Sequence, residues 1–277
     1  MEKSYHLKKC ILIRLWHAPG ASKKFGASVE LENKEIISKI SDNTDYLIVT
    51  SDNIKNQYAE AFQISKDKIK ALGLPRMDYY FESHDLSKLK SDFCARYNIS
   101  MDKKIILYAP TFRDEDKFNN VFDYLDLDKF NQELGSDYVL ALRLHPKIRN
   151  FYDNDNSSQG KYINVSDWES EQELMLISDM LITDYSSIMI EYGVLNKPIM
   201  FFTYDLDNYL ACERGFYYDF KTTVPGPIVY TSDELINTIK NNEFDMNKIS
   251  EFVKTQFDEI DGQSSKRVVD FLLNIEG

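Results

Sequence analysis

The stretch MLITDYSSIMIEYGVLNKPIMFF, residues 180–202, carries two short β-type runs, MLITD at 180–184 and PIMFF at 198–202, separated by a segment of helical length. The same unit recurs upstream. CILIRLW at 10–16, DYLIVTS at 45–51, KIILYAP at 104–110 and DYVLALRLH at 137–145 each precede an amphipathic stretch, so apolar strands alternate with helices along the chain. That alternation predicts an α/β fold built on parallel sheet. In such sheets a ligand sits beyond the carboxyl ends of the strands, which directs attention to the residues that follow each run.

Gly73-Leu74-Pro75-Arg76 breaks the pattern after a helical stretch and predicts a boundary near residue 75. Residues 1–75 then hold two clear strands, too few for an independent sheet of ordinary size, and read as a partial lobe. Residues 76–277 hold at least four strands and several helices. NFYDNDNSSQG at 150–160 predicts a polar exposed loop, and apolar positions at helical spacing run from about Thr231 to the end. No internal repeat is visible.

Composition narrows the partners. Hydrophobic residues make up 43% of the 277 and aromatics 13%, ample for a buried core and far from a disordered composition. With 45 acidic against 33 basic side chains the formal net charge is −12, which repels polyphosphate and argues against nucleic acid as a partner. The opening MEKSYHLKKCILIRLW has too short an apolar run for a signal peptide, and no later run approaches the ~20 residues of a membrane span, so a cytoplasmic location is expected. Cys10, Cys94 and Cys212 show no metal-ligand spacing and are expected to be free thiols, each a small core residue. No Walker loop, Gly-rich dinucleotide fingerprint, HExxH or Ser-elbow pattern occurs, and the four histidines have no i, i+4 pairing. Neither a metal nor a cofactor is indicated.

Four strand exits carry chemistry. In Trp16-His17-Ala18-Pro19-Gly20 a histidine leaves a strand in a turn-rich loop, where an imidazole near neutrality can take a hydroxyl proton and the following Lys23 and Lys24 can hold an anion. An ordinary charged surface loop is the competing reading. In Pro110-Thr111-Phe112-Arg113 the guanidinium can fork onto phosphate oxygens, or pair with a carboxylate such as Asp114, Glu115 or Asp116. In Leu142-Arg143-Leu144-His145-Pro146-Lys147 strand alternation separates the leucines from Arg143 and His145, and Lys147 adds a second cation beside His145. A structural histidine is the alternative. In Thr183-Asp184-Tyr185-Ser186-Ser187 the serines open a helix whose unpaired N–H groups favour phosphate, and Glu191 lies one turn beyond Ser187 on the same face. Asp and Ser are equally ordinary N-caps. A fifth stretch, Glu213-Arg214-Gly215-Phe216-Tyr217-Tyr218-Asp219-Phe220, reads more readily as a packed aromatic edge than as a site.

Taken in order, LWHAPGASKKFG, ALGLPRMDYYF, ILYAPTFRD, LRLHP, ELMLISDMLITDYSSIMIEY, NKPIMFF and RGFYYDF resemble the CDP-glycerol glycerophosphotransferase family of teichoic acid enzymes, over residues 11 to about 228. The resemblance implies a GT-B fold of two Rossmann-like lobes, the nucleotide held mainly by the C-terminal one. It implies a hydroxyl of a lipid-linked or polymer acceptor attacking the β-phosphorus of CDP-glycerol or CDP-ribitol and expelling CMP, in teichoic acid or capsule synthesis, with peripheral contact at the inner face of the plasma membrane. On this pattern His17 is the base and His145 a second catalytic group. Thr111, Arg113, Lys147, Asp184, Ser186, Ser187 and Glu191 bind the donor, and Lys23 and Lys24 serve the acceptor or a phosphate. Only 15 residues precede Trp16, where the family has a longer stretch, so a truncated N-terminal lobe is expected. Two rivals stay open: a GT-B glycosyltransferase or epimerase acting on a sugar nucleotide, and a nucleotide-binding relic without transferase activity.

Overall fold

The computed structural model describes residues 10–29, 34–151, 161–212 and 215–275. The chain forms two compact units, Met1–Phe81 with Thr255–Gly277, and Glu82–Lys254.

The first unit is built on β1 (Ile13–Leu15), α1 (Lys34–Asp42), β2 (Tyr46–Val49), α2 (Lys55–Phe62) and β3 (Ile69–Ala71), with the strands parallel in the order β1-β2-β3. Sequence predicted two strands here and a helix before Gly73; the third strand takes that place. Its three residues, Ile-Lys-Ala, are too few to display a period, and its hydrogen bonds to β2 define it.

The second unit contains α3 (Leu86–Tyr97), β4 (Lys104–Ala109), α4 (Leu127–Leu134), β5 (Tyr138–Leu142), β6 (Ile163–Asn164), α5 (Glu171–Ile177), β7 (Met180–Thr183), α6 (Ile188–Gly193), β8 (Ile199–Phe202), α7 (Leu206–Cys212), α8 (Phe220–Thr223), β9 (Ile228–Val229) and α9 (Ser232–Asn241). Its six strands are all parallel in the order β6-β5-β4-β7-β8-β9. This is the doubly wound order, first strand central, with the direction of winding reversing between β4 and β7. Alternation along the strands feeds two faces. Ile106, Tyr108, Leu140, Leu142, Ile182, Met200 and Phe202 join Phe130 and Leu134 of α4 and Leu235, Ile236 and Ile239 of α9 in one buried cluster. Each such aliphatic or aromatic side chain contributes about 1.5–3 kcal/mol by leaving water. Helix starts are marked by side-chain caps: Asp85 on α3, Asp126 on α4, Ser170 on α5, and a Thr231–Glu234 capping box on α9.

Helix α10 (Met246–Gln256) leads out of the second unit, and α11 (Ser264–Asn274) closes the first. Sequence placed the division near residue 75, with 76–277 as one lobe. Instead the first unit runs to Phe81 and reclaims the chain's last residues. The reason is polar stitching. Asp78 accepts from the backbone N–H groups of Ser264 and Ser265 at 2.9 and 2.7 Å, capping α11. Thr50 Oγ1 donates to the Gln256 carbonyl at 2.7 Å, and Ser51 Oγ bonds Asp258 at 2.7 Å.

Cys94 is buried as expected, but Cys10 is exposed at the edge of the described chain, ahead of β1, and is no core residue. Residues 152–160 of the expected polar loop, and Glu213 and Arg214, lie outside the described residues. Among the described residues no helix is long and apolar enough to cross a membrane.

Candidate active site

In the first unit the residues after β1 are held by aromatic packing on one side and hydrogen bonds on the other. Trp16 stacks on Phe25 and meets Phe62 edge-on, at centroid distances of 5.6 and 4.8 Å, and its ring lies 4.3 Å from the imidazole of His17. Gly20 adopts φ 63°, a conformation natural to glycine. Its N–H donates to Thr50 Oγ1 at 3.1 Å, and its carbonyl accepts from the buried Tyr58 hydroxyl at 2.9 Å. Ala21 N–H donates to Gln256 Oε1 at 3.0 Å. At Gly26, φ is 58° and a Cβ would collide with the Ala61 carbonyl, so the Gly of the quoted GASKKFG run is required by the approach of α2.

His17 is exposed as a whole residue, yet the protein packed around its ring lowers its pKa below the ordinary imidazole value, with Arg76 the second cause. Arg76 also donates to the His17 carbonyl at 3.2 Å. That direction favours the neutral imidazole on an accessible side chain, the state a proton acceptor needs. Lys23 and Lys24 are half-buried in the same loop.

In the second unit two of the flagged strand exits converge at the switch point. Asp184, fully buried beyond β7, accepts from the Thr111 N–H beyond β4 at 2.9 and 3.0 Å and from the Tyr185 N–H at 2.5 Å. Its Oδ2 also takes Arg113 Nη1 at 2.7 Å. Arg113 is 3% exposed and spends its remaining donors inside: Nε and Nη2 on Asp205 at 2.7 and 3.0 Å, Nη1 also on the Thr111 carbonyl. The rings of Tyr185, Tyr204 and Tyr209 surround the guanidinium at 4.9, 5.4 and 5.6 Å. Burial opposes its charge, but Asp184 and Asp205 outweigh that and hold its pKa far above the usual range. Burial, then Asp205 and Asp184, also raise the Tyr185 phenol, which stays protonated and donates to Asp205 at 2.9 Å.

This corrects two sequence expectations. Arg113 does not present a fork to a phosphate, because its fork is filled by buried carboxylates, and those are Asp184 and Asp205 rather than the neighbouring Asp114, Glu115 or Asp116. Asp184 is likewise no direct ligand of a donor: its oxygens are consumed in tying the β4 exit to the β7 exit. What the network leaves at the crevice is Thr111, whose buried hydroxyl has no partner among the described residues, and the half-buried Ser186 and Ser187. Ser187 makes no side-chain cap bond to α6, while Ser186 Oγ accepts from the Ile188 N–H at 3.3 Å. Glu191 follows one turn later at 5% exposure.

The β5 exit joins the same end of the sheet. His145 and Lys147 are exposed, and Phe112 bridges them to Thr111: its ring lies 4.6 Å from the His145 imidazole and 4.2 Å from Lys147 Nζ. The Lys147 N–H donates to His145 Nδ1 at 3.3 Å. Arg143 turns away, bonding the Trp168 carbonyl at 3.0 Å. In the fifth stretch Phe216 and Phe220 pack on each other and on Tyr185 at 4.9, 6.2 and 5.5 Å, the aromatic edge that sequence favoured. Asp205 escaped sequence reading, though it stands three residues past the end of β8, where the rule that flagged Asp184 also points.

Over 267 residues the chain is 39% identical to the teichoic acid poly(ribitol-phosphate) polymerase of Bacillus spizizenii, covering 95% of this chain and 43% of that protein. It is 38% identical over 276 residues to the teichoic acid ribitol-phosphate primase of the same organism, covering 96% and 70%. A solved structure of the wall teichoic acid polymerase TagF superposes with a TM-score of 0.80 at 31% identity, covering 95% of this chain and 67% of that one. The chain thus spans less than half the length of the first of these relatives. Residues 2–274 match the family described as CDP-glycerol:poly(glycerophosphate) glycerophosphotransferase, and the chain belongs to that family.

Proposed function

We propose that the chain transfers an alditol phosphate from CDP-glycerol or CDP-ribitol to a hydroxyl of a lipid-linked or polymer acceptor in teichoic acid synthesis. The observation that carries this reading is the junction at the switch point, where Asp184 binds the Thr111 and Tyr185 N–H groups and so gathers the PTFR and TDYSS runs where a doubly wound sheet takes its nucleotide. The acceptor hydroxyl oxygen attacks the β-phosphorus, the bond to the bridging oxygen breaks, and CMP leaves with the electron pair. His17, neutral and exposed, takes the hydroxyl proton. Thr111, Ser186, Ser187 and Lys147 hold the pyrophosphate, and Glu191 reaches a donor hydroxyl. The Nδ1 of His145 accepts from Lys147, which favours a proton on Nε2, the tautomer that donates to charge developing on a phosphate oxygen. Lys23 and Lys24 serve acceptor phosphates, and an acceptor on lipid brings the chain to the inner face of the plasma membrane.

A donor screen tests the reading. CDP-glycerol, CDP-ribitol and UDP-N-acetylglucosamine are incubated with the purified chain and a primer analogue. CMP release from a CDP-alditol is expected; turnover of the UDP-sugar alone contradicts the reading.

A further inference from the structure

At the β8–β9 side of the second unit a cavity of about 360 Å³ is lined by Phe118, Thr203, Tyr204, Asp207, Lys221 and Tyr230, with Asp205 in its wall. Its volume falls in the range of small-molecule sites, about 300–1,000 Å³. None of the residues assigned above to the donor is among those that line it. Asp205 has its carboxylate already committed to Arg113 and Tyr185.

Three features mark it as built for a ligand. Thr203 is fully buried and its Oγ1 has no partner among the described residues, a state that costs about 1–3 kcal/mol unless something supplies the bond. Lys221 and Asp207 are both exposed, and Lys221 lies near enough to Asp219 to help lower that carboxyl's pKa, so a cation and an anion line the cavity. Tyr204 is held rigid, stacked on Tyr124 at 4.1 Å with its hydroxyl on the Phe118 carbonyl at 2.8 Å, and Tyr230 is 43% exposed. Aromatic faces take the carbon backbone of a polyol, a carboxylate and a hydroxyl take its OH groups, and an ammonium takes a phosphodiester. On a chain of net charge −12, a lysine with Asp207 lining the same cavity and Asp219 beside it fits a ligand with one negative charge per repeat better than a polyanion of higher charge density.

We propose that this cavity binds one alditol phosphate unit of the acceptor polymer, Lys221 at its phosphodiester and Asp207 and Thr203 at its hydroxyls. The proposal rests on the alditol-phosphate reading of the crevice, and its test separates the two. Short glycerol-phosphate and ribitol-phosphate oligomers, and separately CDP-glycerol and CDP-ribitol, are titrated calorimetrically into the wild-type chain, Lys221→Gln and Thr203→Val. At least one oligomer binds the wild type, and Lys221→Gln weakens it roughly tenfold, the effect of losing a charged hydrogen bond. Thr203→Val weakens it too, while its thermal midpoint stays level or rises because a methyl replaces a partnerless hydroxyl. CDP-alditol affinity is unchanged in both variants. Failure of both oligomers to bind, or binding indifferent to both substitutions, overturns the proposal. So does a parallel fall in CDP-alditol affinity, which would make the cavity part of the donor site. Oligomer binding with this pattern but no CDP-alditol binding sustains the cavity and sinks the transfer reading.

Discussion

Arg113 holds Asp205 by two parallel hydrogen bonds, Nε to Oδ2 at 2.7 Å and Nη2 to Oδ1 at 3.0 Å, with both side chains about 1% exposed. With Asp184 on its Nη1, the guanidinium is a buried tie among the β4, β7 and β8 exits. Arg113→Met leaves two buried carboxylates without their cation and is expected to destabilise the second unit by about 3–5 kcal/mol. Thermal unfolding checks it. A loss under about 1 kcal/mol, the effect of removing a solvent-exposed ion pair, together with weaker donor binding, would return Arg113 to the role of a phosphate ligand.

Thr111→Val removes a buried hydroxyl that has no protein partner. The free protein is expected to be as stable as wild type or slightly more so, because no bond is broken, while the affinity for a CDP-alditol falls several-fold. Calorimetric titration and a melting curve on one preparation separate the two effects. A destabilised variant with wild-type donor affinity would remove Thr111 from the site.

The lowered pKa of His17 fixes the direction of a pH response. A general base works when neutral, so kcat/KM rises with pH through the His17 pKa, and that acid limb is expected below the ordinary imidazole value of about 6.5. Arg76→Gln removes the cation that disfavours imidazolium and should move the limb to higher pH. A limb that stays fixed in this variant separates it from His17.

Strand placement was legible because the six longer runs carry their own pattern: each contains a strand, and the ends differ by a few residues. β3, β6 and β9 have two or three residues each, and only hydrogen bonding to a neighbour makes them strands. Both runs at the switch point could be read locally. Their junction could not, since Arg113 and Asp184 are 71 residues apart. A guanidinium that binds phosphate and one that binds two buried carboxylates look alike in a sequence, so the sequence alone leaves Arg113 a candidate for the donor. The return of residues 255–275 to the first unit depends on Asp78, Thr50 and Ser51, ordinary polar residues whose distant partners leave no local trace.

The loop behind His17 gives a prediction about positioning. Tyr58→Phe deletes the hydroxyl that donates to the Gly20 carbonyl at 2.9 Å, a bond that contributes about 1 kcal/mol. Transfer is expected to slow through kcat with the donor KM unchanged, as measured by initial rates. A change in KM alone would show that the loop positions the donor rather than the base.

The most direct test of alditol-phosphate transfer is a stoichiometry. The purified chain is given labelled CDP-glycerol or CDP-ribitol and a primer with a free terminal hydroxyl, and CMP released is compared with label joined to the primer, for wild type and His17→Ala. The expected result is one CMP per alditol phosphate joined, lost in His17→Ala although donor affinity is retained. CMP release without incorporation, or incorporation undiminished in His17→Ala, would contradict the account.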